Sequence, residues 1–176
     1  MCDRARKARA SGHFRLLEIL IVPHHPMQTQ IHLAQSEDIE TLLVLMKAYY
    51  AFDRLHFDER IARLALNQMI GDKNLGRLWI ISDNGQEVGY IAITFGFSLE
   101  FGGQDAFIDE FFILEDFRGK GIDTTVLESV ESALKELKIS ALHLEADRDN
   151  VAAQRYYRAQ GFEIRERFIN MSKALT

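Results

Sequence analysis

Apolar residues along the chain follow two rhythms, one of period two and one near 3.6, and the changes between them outline a fold. Thr29, Ile31 and Leu33 alternate with Gln28, Gln30 and His32, the mark of a half-buried strand. Ser36, Glu37 and Asp38 supply a cap and an acidic first turn, after which Ile39, Leu42, Leu43, Met46, Tyr49 and Tyr50 recur at helical spacing. Asp58 caps a second predicted helix that runs to about Ile70 and stops at Gly71. Two apolar runs, Leu78 to Ile81 and Val88 to Phe95, flank Asp83-Asn84-Gly85-Gln86, whose Asn-Gly pair signals a hairpin. A turn at Gly102-Gly103 leads into a strand from Ala106 to Leu114. Ile122, Val126, Leu127, Val130, Ala133, Leu134 and Leu137 then form one helical stripe. Ala141 to Ala146 is strand-like, Asn150 to Gln160 helical, and Phe162 to Ile169 extended.

The order is strand, two helices, three antiparallel strands, helix, strand, helix, strand, with no repeat and no internal linker. At 176 residues and 47% hydrophobic content the chain suits one globular α/β (α+β) domain. A composition shift at Met27 divides it. Residues 1–26 hold five basic residues against two acidic ones, a net +3 in a chain of −5, so the rest carries −8. We therefore expect an extension over 1–26, either a family-specific arm or the product of an upstream start codon, and a single domain over 27–176. The run Leu16 to Val22 is too short to span a bilayer and contains Glu18.

Charge and cysteine content narrow the function. A pI near 5.7, with no interleaving of aromatic and basic residues, argues against nucleic-acid binding. Cys2 is the single cysteine, which excludes an internal disulfide and fits a cytoplasmic protein. His24-His25 lacks further ligand-type neighbours, and His56 and His143 read as ordinary histidines, so no metal site is expected.

Two stretches carry candidate chemistry. The first is Phe117-Arg118-Gly119-Lys120-Gly121-Ile122-Asp123, a glycine-bearing turn between a strand and a helix. Such a turn exposes backbone N–H groups at the positive end of a helix dipole and is an anion seat. It lacks the spacing of a P-loop or a dinucleotide-binding turn. The second is Asn150-Val151-Ala152-Ala153-Gln154-Arg155-Tyr156-Tyr157, ending at Gly161-Phe162.

Together these stretches resemble the GNAT superfamily of acyl-CoA-dependent N-acetyltransferases, and the order of elements over 27–176 is that family's order. The cofactor motif Arg/Gln-x-x-Gly-x-Gly/Ala is matched at Arg118 and Gly121, while Asp123 stands where glycine or alanine is usual. Asn150, Ala153, Tyr157, Gly161 and Phe162 match the later signature, and "DEFFI" with "RGKGI" is particularly similar to the diamine and polyamine branch.

The resemblance implies a mixed, mostly antiparallel sheet of six to seven strands with about four helices, splayed between the fourth and fifth strands. It implies acetyl-CoA as cosubstrate. Backbone groups of Phe111, Phe112 and Ile113 would pair with the pantetheine arm, and Arg118, Gly119, Lys120, Gly121, Ile122, Asp123 and Thr124 would hold the pyrophosphate. Asn150 and Ala153 would complete the cofactor site, Asn150 bonding the pantetheine or the acceptor side, with Tyr157 near the thioester sulfur.

Amine acetylation needs a base for the ammonium proton and an acid for the leaving thiolate. Tyr157 is the candidate acid. Asp109 and Glu110 are candidates for the base; strand alternation would send them to opposite faces, so that one alone meets the acceptor. By the diamine-branch resemblance Asp109 holds the deprotonating position, and Glu110 is preferred for acceptor binding. Glu100, Asp105, Asp109 and Glu110 suggest an acidic cleft for a small cationic amine, with Tyr49, Tyr50, Phe52 and Phe57 as lining. A protein lysine or N-terminus is the alternative acceptor, and a non-catalytic acyl-CoA-binding module is the competing class, favoured by Asp123. A homodimer through Ile164 to Met171 is left open.

Each of these residues also has an ordinary structural use. Asn150 is a good helix cap, Tyr156, Phe111 and Phe112 suit a core, and the acidic residues suit a solvated strand.

Overall fold

The computed structural model describes residues 29–175. The division at Met27, the basic extension and His24-His25 lie outside the described residues. Five strands and four helices follow in the order β1 (Thr29–Leu33), α1 (Ile39–Phe52), α2 (Glu59–Gly71), β2 (Gly76–Asp83), β3 (Gln86–Ser98), β4 (Gly103–Ile113), α3 (Ile122–Glu136), β5 (Leu142–Leu144) and α4 (Val151–Ala159). The sheet runs in sequence order, antiparallel throughout except for the β4–β5 pair.

Local signals act where expected. Asp58 accepts the Ile61 amide at 3.1 Å and starts α2. Asn84 and Gly85 both take positive φ, 50° and 80°, as the two-residue hairpin between β2 and β3 requires. At α1 the cap is shared. Asp38 Oδ2 accepts the Gln35 amide at 2.8 Å across a short 3-10 turn, Ser36–Asp38, instead of Ser36 capping alone.

Burial separates two apolar layers. Leu42, Leu43, Leu45 and Met46 of α1 and Ala62 and Leu66 of α2 pack with Leu78, Ile80, Tyr90, Ala92 and Phe112 on one sheet face. Ile122, Val126, Leu127, Val130 and Leu134 of α3 pack with Trp79, Ile81, Ile91, Ile93, Ala106, Ile108 and Ile113 on the other.

Two expectations require correction. Phe162 to Ile169 is irregular and forms no strand, so the described sheet has five strands where six to seven were expected. The alternation in Phe162-Glu163-Ile164-Arg165 is strand-like, but a strand needs a paired edge. Here Arg165 instead bonds Glu100 at 2.8 Å and lies 4.6 Å from the Phe168 ring centre. Likewise β5 covers only Leu142–Leu144 of the expected Ala141 to Ala146, because its pairing ends where β4 turns away.

Candidate active site

The site begins with a defect in β4. Pairing with β3 matches Ala92 to Glu110 and then Ile93 to Ile108, so Asp109 has no partner and bulges out. The inserted residue reverses the parity of the strand. Ala106 and Ile108 point into the α3 layer, whereas beyond the bulge it is Ile113 that does so and Phe112 joins the α1 layer. Asp109 faces the α1 side by counting from Ile108, and Glu110 does so by counting from Phe112. The expectation that the two carboxylates would face opposite ways is therefore overturned, and the bulge is the reason.

Both acids meet an aromatic cluster. Tyr90, 1% exposed, donates its hydroxyl to Glu110 Oε2 at 2.7 Å, and the Tyr50 phenol lies close enough to this carboxylate to lower it. Burial pushes the Glu110 carboxyl above its usual range; the two phenols pull it down, and Asp109 pushes it up again. Burial also raises Asp109. Desolvation lifts the Tyr49 phenol to about 12, with the charges of Asp53, Glu110 and Asp109 and the nearby Tyr157 adding to the shift. Tyr49 contacts Tyr50 edge-on at 5.6 Å and Phe112 at 5.7 Å, and Tyr50 contacts Phe57 at 5.6 Å. The suggested acidic cleft is thus narrower than its sequence. Glu100 pairs with Arg165, and Asp105 lies 3.5 Å from His143, both toward the other end of β4.

Past Ile108, β4 and β5 part. Their pairing covers only Ala106–Ile108 with Leu142–Leu144, and the rest of β4 opens toward α4. Antiparallel strands alternate in which residues bond each neighbour. Leu114 donates to the Val88 carbonyl at 2.8 Å, and this fixes the phase: Phe112 turns its backbone groups to β3, while Phe111 and Ile113 turn theirs into the splay. Phe112 therefore cannot pair with a pantetheine arm, and its expected role is withdrawn. The Ile113 carbonyl already accepts the Arg118 Nε at 2.7 Å.

A cavity of about 360 Å³ fills the splay, lined by Phe111, Ile113, Phe117, Arg118, Gly119, Asp123, Ala152, Ala153, Tyr156 and Tyr157. Gly119 and Gly121 take φ of 70° and 80°, and a Cβ on either would meet nothing within 4 Å, so the turn presents bare backbone to open space. Gly121 is the N-cap of α3. Such a cradle of amides at a helix start suits a pyrophosphate. Asp123 lines the cavity and its charge helps to raise the Tyr157 phenol, second to burial, so the carboxylate faces inward. Lys120, Gly121, Ile122 and Thr124 are not among the lining residues, and Ile122 is a core residue of the α3 layer.

Asn150 caps α4, its Oδ1 accepting the Ala153 amide at 3.0 Å. That bond anchors the helix carrying both tyrosines. Tyr157 packs edge-on against Tyr156 at 5.1 Å and Phe162 at 5.6 Å. The Tyr156 hydroxyl is buried beside Thr124 without a hydrogen bond of good geometry. Tyr90 is the carboxylate's partner that the pattern did not offer: it reads as a core strand position, and its tie to Glu110 follows only from the register, two residues from Ala92.

Comparison with known proteins identifies the family. The model of the acetyltransferase (GNAT) family matches residues 39–162. The chain belongs to that family. A curated relative, an uncharacterized N-acetyltransferase of Methanocaldococcus jannaschii, is 25% identical over 133 residues; these are 74% of this chain and 59% of the relative's length. Among solved structures, an integron cassette protein from the Cole Harbour Salt Marsh metagenome superposes with a TM-score of 0.74 at 33% identity, covering 84% of this chain and 91% of that one. A predicted acetyltransferase of Clostridium acetobutylicum, solved with acetyl-CoA, superposes at 0.69 with 20% identity over 82% and 96% of the two chains. Within this GNAT chain, no helix among the described residues is long and apolar enough to cross a membrane, and those residues hold no group of three or more metal-ligating side chains.

Proposed function

We propose that this chain transfers an acetyl group from acetyl-CoA directly to the primary amine of a small cationic acceptor. The observation that carries this reading is the parity reversal at Asp109, which turns two carboxylates to one side of β4 while the next residues open the splay beside a glycine-lined turn. In this reading the pantetheine arm pairs with the splay-facing backbone of Phe111 and Ile113 as an added strand. The amides around Gly119 and Gly121 hold the pyrophosphate, and Ala152 and Ala153 leave room beside the arm.

The amine enters from the α1 side. Glu110, held by Tyr90 with Tyr50 beside it, receives the ammonium among aromatic rings that favour a cation. Asp109 makes no comparable bond and takes the proton, directly or through water. The freed lone pair attacks the thioester carbonyl, a C–N bond forms, the C–S bond breaks, and Tyr157 donates its phenolic proton to the departing thiolate. A phenol raised by burial keeps that proton at neutral pH. Direct transfer fits a domain with no cysteine and no recognisable acyl-carrying nucleophile.

Calorimetric titration with acetyl-CoA, followed by thiol release on a panel of diamines, polyamines, amino-sugars and lysine peptides, tests the reading. Micromolar binding with turnover on a small amine is expected. Binding without turnover on any amine would leave a non-catalytic acyl-CoA module, and turnover confined to peptides would move the acceptor to protein.

A homodimer is proposed on a separate observation. In Phe-Glu-Ile-Arg-Glu-Arg-Phe over 162–168 a phenylalanine stands at each end, and Glu163 and Arg167 are equally far from Arg165. Two copies laid antiparallel about Arg165 oppose Glu163 to Arg167 and Phe162 to Phe168 twice, favourable pairs set against one Arg165–Arg165 repulsion and two Ile164–Glu166 mismatches. Ile164 and Phe168 are more than half exposed. Sedimentation equilibrium of the full chain should give a dimer that Arg167→Glu weakens; a monomer at all concentrations would remove the idea.

A further inference from the structure

The motif match makes Arg118 a phosphate ligand, but its side chain is engaged elsewhere. The guanidinium lies 4.2 Å from the ring centre of Phe52, the last residue of α1, and 5.4 Å from that of Phe112. Its Nε is spent on the Ile113 carbonyl at 2.7 Å. The two rings stand 6.4 Å apart, so the cation ties both together and fixes the end of α1 to β4. Phe52 is 61% exposed and has little other packing to hold it. Phe112 in turn touches Tyr49 at 5.7 Å and lies 6.3 Å from Tyr90, whose hydroxyl bonds Glu110. One residue thus belongs to the cofactor turn by its backbone and to the amine-side wall by its side chain.

We propose that Arg118 is a positioning residue that couples the cofactor turn to the amine-side wall, and that it is not a ligand of the pyrophosphate. The proposal rests on the acetyl-transfer reading. When the turn closes on the cofactor, the Arg118 backbone shifts with it and carries the Phe52 and Phe112 rings, so the two substrates bind cooperatively. Such coupling is reciprocal: an amine that uses the ordered wall must tighten acetyl-CoA by the same factor.

Arg118→Gln in the full chain tests this, with acetyl-CoA as the probe. A Gln keeps the backbone amide and loses the charge and the stacked plane. Calorimetry should give an acetyl-CoA Kd within about fivefold of the unsubstituted chain, because one cation–π contact at an exposed site changes an equilibrium only a few-fold. Phe52→Trp then supplies a reporter on the stack. Its emission should change saturably on adding acetyl-CoA, at the calorimetric Kd, and that response should vanish in the Phe52→Trp, Arg118→Gln double variant while its melting temperature stays near that of Phe52→Trp. A Kd raised tenfold or more in Arg118→Gln overturns the proposal in favour of a phosphate ligand. An emission response that survives in the double variant, or that is absent in Phe52→Trp alone, overturns the coupling. Failure of the unsubstituted chain to bind acetyl-CoA removes the acetyltransferase reading as well, which neither of the other results does.

Discussion

The two sides of β4 recognise by different means. On the α3 and α4 side the splay offers backbone groups of Phe111 and Ile113 and a glycine turn with positive φ, and its one inward acid, Asp123, works against the expected anion. On the α1 side the surface is made of side chains, with two carboxylates beside three tyrosines, Tyr49 touching both Tyr50 and Tyr90. A seat made of backbone depends on glycine positions and tolerates varied side chains. A cleft made of side chains depends on which way each residue of one strand points, and there a single inserted residue decides the outcome.

Substitutions on the two sides should therefore separate turnover from affinity. The largest effect is expected for Tyr157→Phe, which removes the acid and keeps the ring: kcat on the best amine should fall by about 10²–10⁴-fold, the usual range for general acid–base catalysis. The acetyl-CoA Kd should hardly move. Unchanged turnover in stopped assays of thiol release would take Tyr157 out of the chemistry.

Asp109→Asn comes next, with a loss of about 10²-fold in kcat/KM. The pH profile supplies the sharper measurement. Burial raises Asp109, so the base is ionised, and the enzyme active, only above a pH higher than the ordinary aspartate value. Activity should rise with pH through that raised value and hold until the ammonium or Tyr157 limb intervenes; Asp109→Asn should erase the acid limb, whereas Glu110→Gln should chiefly raise the amine KM. A limb that persists in Asp109→Asn and disappears in Glu110→Gln would exchange the two roles.

On the cofactor side the effects are smaller. Asp123→Gly removes a negative charge facing the pyrophosphate seat, and in partly hydrated surroundings such a charge costs about 1 kcal/mol, so acetyl-CoA should bind about fivefold tighter. No gain in calorimetric affinity would mean that the carboxylate turns aside when the cofactor enters. Smallest of all, Gly121→Ala meets no steric neighbour and acts only through φ of 80°, for a loss of about 1 kcal/mol and a melting temperature lower by about 3 °C.

The contrast also accounts for what the sequence made legible. Helix stripes, the Asn84-Gly85 hairpin and the Asp58 cap are local features, and each is read from a few neighbouring residues. The anion turn and α4 were legible for the same reason, since Gly119, Gly121 and Asn150 act through their own backbone or the next turn. The bulge was not. Nothing within Phe107-Ile108-Asp109-Glu110 announces it, because it exists only in the pairing, where Ala92 meets Glu110 and Ile93 meets Ile108. Every conclusion that depended on strand parity, including the faces of Asp109 and Glu110 and the backbone direction of Phe112, needed the register. The Arg118 stack was hidden in the same way, since Phe52 and Arg118 meet only when α1 lies across β4. Over 162–169 the alternation was genuine, but alternation alone cannot provide an edge to pair with.

The unpaired residue in β4 also bears on how such a chain can change over generations. Excising Asp109 would leave Ile108, Glu110, Phe111, Phe112 and Ile113 alternating as an ordinary strand, with every core side chain still in the layer it now occupies. Loss of one codon would then cost the fold almost nothing while removing the residue assigned to the proton. A family built on this strand has a short mutational path from enzyme to inert binding module, and back again by a single in-frame insertion.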